Sequence, residues 1–316
     1  MESNLQIFSG RANRALAEKI SKNLGQPLGQ LEIVEFKDGE MFVKFGENIR
    51  GRDVFIIQST NPPAKNYIEL FLMMDAARRA SAKRITAVIP YYGYARQDRK
   101  NTPRVALSAK LFANMINVAG ADRVIGMDLH SPQIQGFFDV PFDHLYSSIV
   151  LIKYLSKKEY IKDAVVMAPD IGGIKMARAF ARRLDLDLAV VDKRREKANK
   201  SEVVNIIGDI EGKIVLLLDD LVDTAGTLIN AAETSINKGA EAVYTLATHP
   251  VLSENALQKI DESSIEKLIV TDTIPLREDH TSEKLEVVSV ANIFSEAIIR
   301  IHEERSISKL FDEQDY

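Results

Sequence analysis

One pattern limits this chain's possible folds more than any other. Short apolar runs ending in Gly, Pro or Asp alternate with segments of helical period, the grammar of a parallel sheet covered by helices. The runs at 54–58, 85–89 and 124–127 read as strands, with helices expected over 67–79 and 108–118. Further on, 165–168, 188–191, 214–218 and 242–247 read as strands, and 174–184, 227–238 and 293–304 as helices. The expected fold class is therefore α/β, with mainly parallel sheets flanked by helices.

A shift of 119 residues lays Ala113, Gly120, Ala121, Val124 and His130 over Ala232, Gly239, Ala240, Val243 and His249. Each copy reads as helix, Gly-Ala turn, strand and terminal His, as a duplication would produce. A length of 316 residues suits two domains, and the boundary is expected near 146–148. The expectation is a first domain over 1–146 and a second over 147–316, with the last helix and tail able to pack back on the first.

Composition excludes several classes. The chain has no cysteine, which rules out disulfides, thiolate metal sites and thiol nucleophiles. A net charge of -4 is wrong for a nucleic-acid binder. The longest aliphatic runs are strand-sized, and the first ten residues lack a basic flank leading into an apolar core. No nucleic-acid or membrane partner is expected, and the reading is a cytoplasmic protein.

The most informative segment is a buried run at 214–218 followed by Asp219, Asp220, Leu221, Val222, Asp223, Thr224, Ala225, Gly226 and Thr227. The strand carries two carboxylates to the sheet edge where open α/β folds bind ligands. The small residues after it let backbone N–H groups and the Thr224 and Thr227 hydroxyls approach a phosphate at a helix start. Ionised Asp219 and Asp220 can only accept hydrogen bonds or bind metal, so a sugar diol suits them. Phosphate on one side and a diol on the other describe ribose 5-phosphate. Simple helix capping would use one such residue, whereas this stretch holds three Asp and two Thr within nine positions.

This segment resembles the phosphoribosyl-binding loop of the type I phosphoribosyltransferase fold. The run from Tyr91 through Tyr92, Gly93, Tyr94, Ala95, Arg96, Gln97, Asp98 and Arg99 to Lys100 is similar to ribose-phosphate pyrophosphokinases of class I. So are the stretches at 36–40, 127–130, 133–138, 192–195 and 306–311, in the family's order along nearly the whole chain. The resemblance implies two tandem phosphoribosyltransferase-like domains and transfer of a pyrophosphoryl group from ATP to the anomeric hydroxyl of ribose 5-phosphate. The products would be 5-phosphoribosyl 1-pyrophosphate and AMP.

It also implies site residues. Phe36 and Arg96 would sandwich adenine, with Asp38 and Glu40 on the base or ribose and Gln97 and Asp98 on ribose and phosphate. Phe36 taken alone reads as core. His130 and Asp170 would serve Mg2+ bound with ATP, although a His is an unusual partner for that ion. Lys193 and Arg195, in a basic run expected just after a strand, would stabilise the transition state. The resemblance further implies a homo-oligomer, commonly a hexamer, with phosphate and ADP as effectors near Arg50, Ser81, Gln135, Asp143, Tyr146, Ser306, Ser308 and Phe311. Two departures stand out. Val105, Ala106 and Leu107 follow Arg104 without the family's usual Pro, and 61–67 is one residue short. The first bears on effector response more than on catalysis.

Two other readings remain: a phosphoribosyltransferase, which would leave 91–100 idle, and a catalytically silent regulatory homologue, which would be expected to lose loop residues that this chain keeps.

Overall fold

The computed structural model describes residues 4–194 and 203–311. The chain divides into two compact units, one comprising 1–146, 273–275 and 289–316, the other 147–272 and 276–288.

In the first unit β1 (Leu5–Ser9), β4 (Asp53–Ile57), β5 (Arg84–Ile89), β6 (Arg123–Met127) and β7 (Phe142–Leu145) form a parallel sheet in that order. Strands β4 and β5 are almost wholly apolar and buried, as a sheet covered on both faces requires. The helices α1 (Arg14–Leu24), α2 (Lys65–Arg79) and α3 (Ser108–Ala119) make the crossovers. A separate antiparallel hairpin, β2 (Leu31–Glu35) and β3 (Met41–Phe45), lies between α1 and β4 in the chain and packs against α2. The C-terminal helix (Ala291–His302) packs on α1. Its last residue is fixed by Asp53, whose Oδ2 lies 2.8 Å from His302 Nδ1 and which also accepts from Arg84.

The second unit begins with α4 (Ser148–Leu155). Its sheet carries β8 (Ala164–Ala168), β9 (Asp187–Arg194), β10 (Val203–Ile207), β11 (Ile214–Val222), β12 (Ala242–Pro250), β13 (Ile265–Thr271) and β14 (Leu285–Val288). The spatial order is β10-β9-β8-β11-β12-β13-β14, with only β10 antiparallel. The connecting helices are α5 (Ile174–Leu184), α6 (Gly226–Asn237) and α7 (Ala256–Asp261).

The two sheets share one topological order. β1, β4, β5, β6 and β7 correspond to β8, β11, β12, β13 and β14, with an antiparallel pair after the first helix in each. Ile214 follows Asp53, and Gly226 follows Lys65, by the same 161 residues, so β4–α2 and β11–α6 match start for start. The 119-residue register is thus off by one strand–helix step, because helix, Gly, Ala and strand recur in every such step. The two histidines it paired differ accordingly: His130 is exposed beyond β6, whereas His249 is 3% exposed within β12.

Two strands run longer than the sequence suggests. β11 continues through Asp219 and Asp220 because β12 extends beside it, pairing Asp219 with Ala247 and Val222 with Pro250. β9 continues to Arg194 because β10 pairs back on it, so Lys193 stands within the strand, opposite Val204, rather than beyond its end.

Candidate sugar-phosphate and nucleotide site

The second unit assembles its candidate site where β8 and β11 end. Asp170 follows β8, and its Oδ1 accepts from Gly173 N at 3.1 Å, shaping the turn into α5. Asp219 and Asp220 are partly buried on β11, and Asp220 N donates to Asp219 Oδ1 at 2.8 Å. Burial, followed by the charge and hydrogen bond of Asp220 and then the charge of Asp170, pushes the Asp219 carboxyl up to about 8. Three carboxylates influencing one another in this way attract a cation or a hydroxyl-rich ligand. Among the described residues no group of three His, Cys, Asp or Glu side chains could hold a metal ion by itself. An ion held by one or two carboxylates, with water and ligand oxygens in its other positions, needs no such group.

Beyond Val222 the chain turns through Asp223 and Thr224 into α6. Ala225, the residue preceding the helix, has φ 64° and ψ -5°, and no side chain caps the helix start. The first-turn N–H groups, which have no intrahelical partner in any α-helix, are here not taken by a capping side chain, as an anion site needs. A Cβ on Gly226 would meet nothing within 4 Å, so the backbone there faces open space. Thr224, Gly226 and Thr227 are exposed, and Ala225 is buried.

The loop after β4 in the first unit is built oppositely. Gln58, at the position of Asp219, is 0% exposed. Its Oε1 accepts from Ala12 N at 3.1 Å, and its Nε2 donates to Glu69 Oε1 at 3.1 Å and Asn66 O at 3.2 Å. Glu69, 2% exposed on α2, also accepts from Arg11 N at 2.6 Å and Arg11 Nε at 2.7 Å. This closed network was not legible from any motif. The 161-residue offset could have located it, but the residues it aligns share no chemistry.

The nucleotide candidates fall on loops of the first unit. Phe36 is not core: it is 50% exposed at the tip of the β2–β3 hairpin, with Asp38 and Glu40 exposed beside it. The tip is stiffened by Phe36 N donating to Glu40 O at 2.7 Å and Glu40 N to Asp38 Oδ1 at 3.0 Å. Gly39 takes φ 90° there, a conformation open to glycine. Arg96 and Gln97 are exposed and Asp98 is partly buried, on the loop before α3. Upstream, a Cβ on Gly93 would come within 2.2 Å of Thr60 O, so the 91–94 stretch is packed directly on the loop after β4. Only the backbone of Lys193 is described, and Arg195 lies outside the described residues.

The candidate effector residues all belong to the first unit. Ser81, at φ 60°, accepts from Gly51 N at 2.8 Å, next to exposed Arg50. Gln135 Nε2 donates to Pro132 O at 2.8 Å, and Asp143 is held by Arg123 at 2.6 Å. Tyr146 packs edge-on against Phe311 with ring centroids 5.4 Å apart, and the Ser306 and Ser308 hydroxyls are 2.7 Å apart. His144, which carried no expectation, accepts from Leu129 N through Nε2 at 3.0 Å and so fixes the backbone just before His130.

Repeated parallel-sheet units with paired carboxylates running into an uncapped helix start place the protein in the α/β class with the type I phosphoribosyltransferase fold. Comparison with known proteins is more specific. The N-terminal domain of ribose phosphate pyrophosphokinase matches residues 5–120, and the phosphoribosyl synthetase-associated domain matches 194–312. A ribose-phosphate pyrophosphokinase of Chlorobaculum tepidum is 56% identical over 312 residues, covering 99% of this chain and 96% of that one. One from Caldanaerobacter subterraneus is 53% identical over 310 residues, covering 98% of each. The crystal structure of phosphoribosylpyrophosphate synthetase from Mycobacterium smegmatis matches with a TM-score of 0.90 at 39% identity, over 96% of this chain and 100% of that one. The chain belongs to the ribose-phosphate pyrophosphokinase family.

Proposed function

We propose that this protein transfers the pyrophosphoryl group of ATP to the anomeric hydroxyl of ribose 5-phosphate, giving 5-phosphoribosyl 1-pyrophosphate and AMP. The observation that carries the reading is the β11–α6 passage, where Asp219 and Asp220 run into an uncapped helix start with Ala225 left-handed. Asp219 and Asp220 accept from the ribose diol, while Thr224, Thr227 and the N–H groups of 223–227 bind the 5-phosphate. In the first unit Phe36 and Arg96 present flat faces to adenine, and Asp38, Glu40, Gln97 and Asp98 offer polar contacts to the base, sugar and phosphates.

Attack on the β-phosphorus builds negative charge on the bridging and terminal oxygens. Lys193 and Arg195 are the cations assigned to that charge, so Lys193→Ala should lower kcat far more than it raises KM. Mg2+ is the assigned cofactor, with Asp170 and His130 as its protein-side candidates, and when bound it neutralises charge on the ATP phosphates. The effector residues remain candidates for a phosphate and ADP site in a homo-oligomer. No described helix is long and apolar enough to cross a membrane, and the expected setting is the cytoplasm. The test is purified protein with ATP, Mg2+ and ribose 5-phosphate, followed for nucleotide products. AMP is expected; ADP, or no nucleotide product, would overturn the assignment.

A further inference from the structure

Three residues other than glycine adopt left-handed backbone around one loop of the second unit: Ala225 at φ 64°, Leu252 at φ 48° and Glu254 at φ 55°. Such conformations persist only where the surroundings over-determine them, and they gather at functional sites. Leu252 is 1% exposed and shares an apolar cluster with Val222, Ala225 and Leu228. Its N–H donates to Val222 O at 2.9 Å, and the N–H of Ser253 donates to Asp223 O at 3.0 Å. The turn after β12 thus grips the carbonyl of the last β11 residue and the first carbonyl of the candidate sugar-phosphate loop.

A trans peptide holds its C=O and N–H on opposite sides. Fixing the carbonyls of Val222 and Asp223 toward the turn therefore aims the N–H groups of Asp223 and Thr224 away from it. These are the first donors of the loop.

We propose that the strained turn at Leu252 and Ser253 is a positioning device that presets the 223–227 loop to receive the phosphomonoester of the sugar substrate. This rests on the ribose 5-phosphate reading of that loop. Leu252 is a positioning residue, since it acts through Val222 and Asp223, and its buried side chain anchors a backbone conformation that leucine rarely adopts. If the turn served only to end β12 and begin α7, loosening it would lower stability and leave affinity alone.

The test is calorimetric titration of the full chain with ribose 5-phosphate, together with KM for each substrate. Ser253→Pro deletes one of the two donors, and Leu252→Ala removes the anchor. Each should weaken ribose 5-phosphate binding about tenfold, with KM for ATP unchanged within twofold, while Leu252→Met should stay close to wild type. Ile260→Ala, in α7 and the same apolar cluster, controls for general loosening: it should lower the melting temperature without changing affinity. If Ser253→Pro fails to fold, Leu252→Ala decides. A folded Leu252→Ala protein that binds ribose 5-phosphate as wild type does, or an equal loss of affinity in Ile260→Ala, overturns the proposal. Wild-type protein that binds no ribose 5-phosphate overturns the reading of the loop itself, and the proposal with it.

Discussion

The loop after β4 and the loop after β11 occupy the same step of the same topology, yet one is closed and the other open. In the first unit an amide, a carboxylate and a guanidinium satisfy one another: Gln58, Glu69 and Arg11. In the second, the neighbouring Asp220 and Asp170 carboxylates add to burial in pushing the Asp219 carboxyl up, and the residue before the helix is left-handed. Both helices are preceded by alanine, but Ala64 is right-handed at φ -55° and Ala225 left-handed at φ 64°. A duplicated scaffold can thus keep its packing while one copy trades a binding edge for an internally bonded one.

Making the open loop resemble the closed one should have the largest effect. Asp219→Asn removes a carboxylate oxygen from the proposed sugar site, and AMP formation should fall by about 10²- to 10³-fold in an assay with both substrates and Mg2+. Opening the closed loop should instead damage stability. Glu69→Ala removes one of the two acceptors of the buried Gln58 Nε2 and the acceptor of Arg11 N and Nε, although the Arg11 side chain is 44% exposed and so partly rehydrates. A loss of about 1–3 kcal/mol is expected in urea unfolding.

The acidic edge also predicts a pH dependence. Asp219 is pushed up to about 8 from an ordinary 3.8, so between those values the folded state holds the proton more tightly than the unfolded one. Stability from this group is therefore present in full below its ordinary value and is lost as pH rises toward 8. In metal-free protein the melting temperature should decline across that window, and Asp219→Asn should flatten the decline. A slope that survives the substitution would assign it to other groups.

The smallest effect compares the two alanines. Ala64→Gly adds only unfolded-state freedom and should cost roughly 0.5–1 kcal/mol. Ala225→Gly relieves a left-handed residue and should come out near zero or slightly stabilising by the same chemical-denaturation measurement. Equal costs at both positions would mean that the backbone difference between the loops carries no strain.

Much of this was legible in the chain itself. Apolar runs such as 54–58 and 214–218 fixed the existence of the strands, because a strand buried on both faces leaves few alternatives in composition. The Asp- and Thr-rich passage at 219–227 stood out as a candidate site because three carboxylates so close together have no packing use. The hairpin strands β2 and β3 were missed, since their alternating, half-exposed residues carry weak signals. Phe36 read as core because nothing local says that a hairpin tip will hold it in solvent.

Sequence by itself determined the α/β class, the acidic, hydroxyl-rich passage at 219–227 and the residue types available for chemistry, since these depend on local periodicity and on side-chain identity. Tertiary structure alone decided the true register of the duplication, the length of β11 and β9, and the left-handed turns at Ala225 and Leu252. Those depend on which strand lies alongside, and pairing between distant segments leaves no mark in the residues of either one.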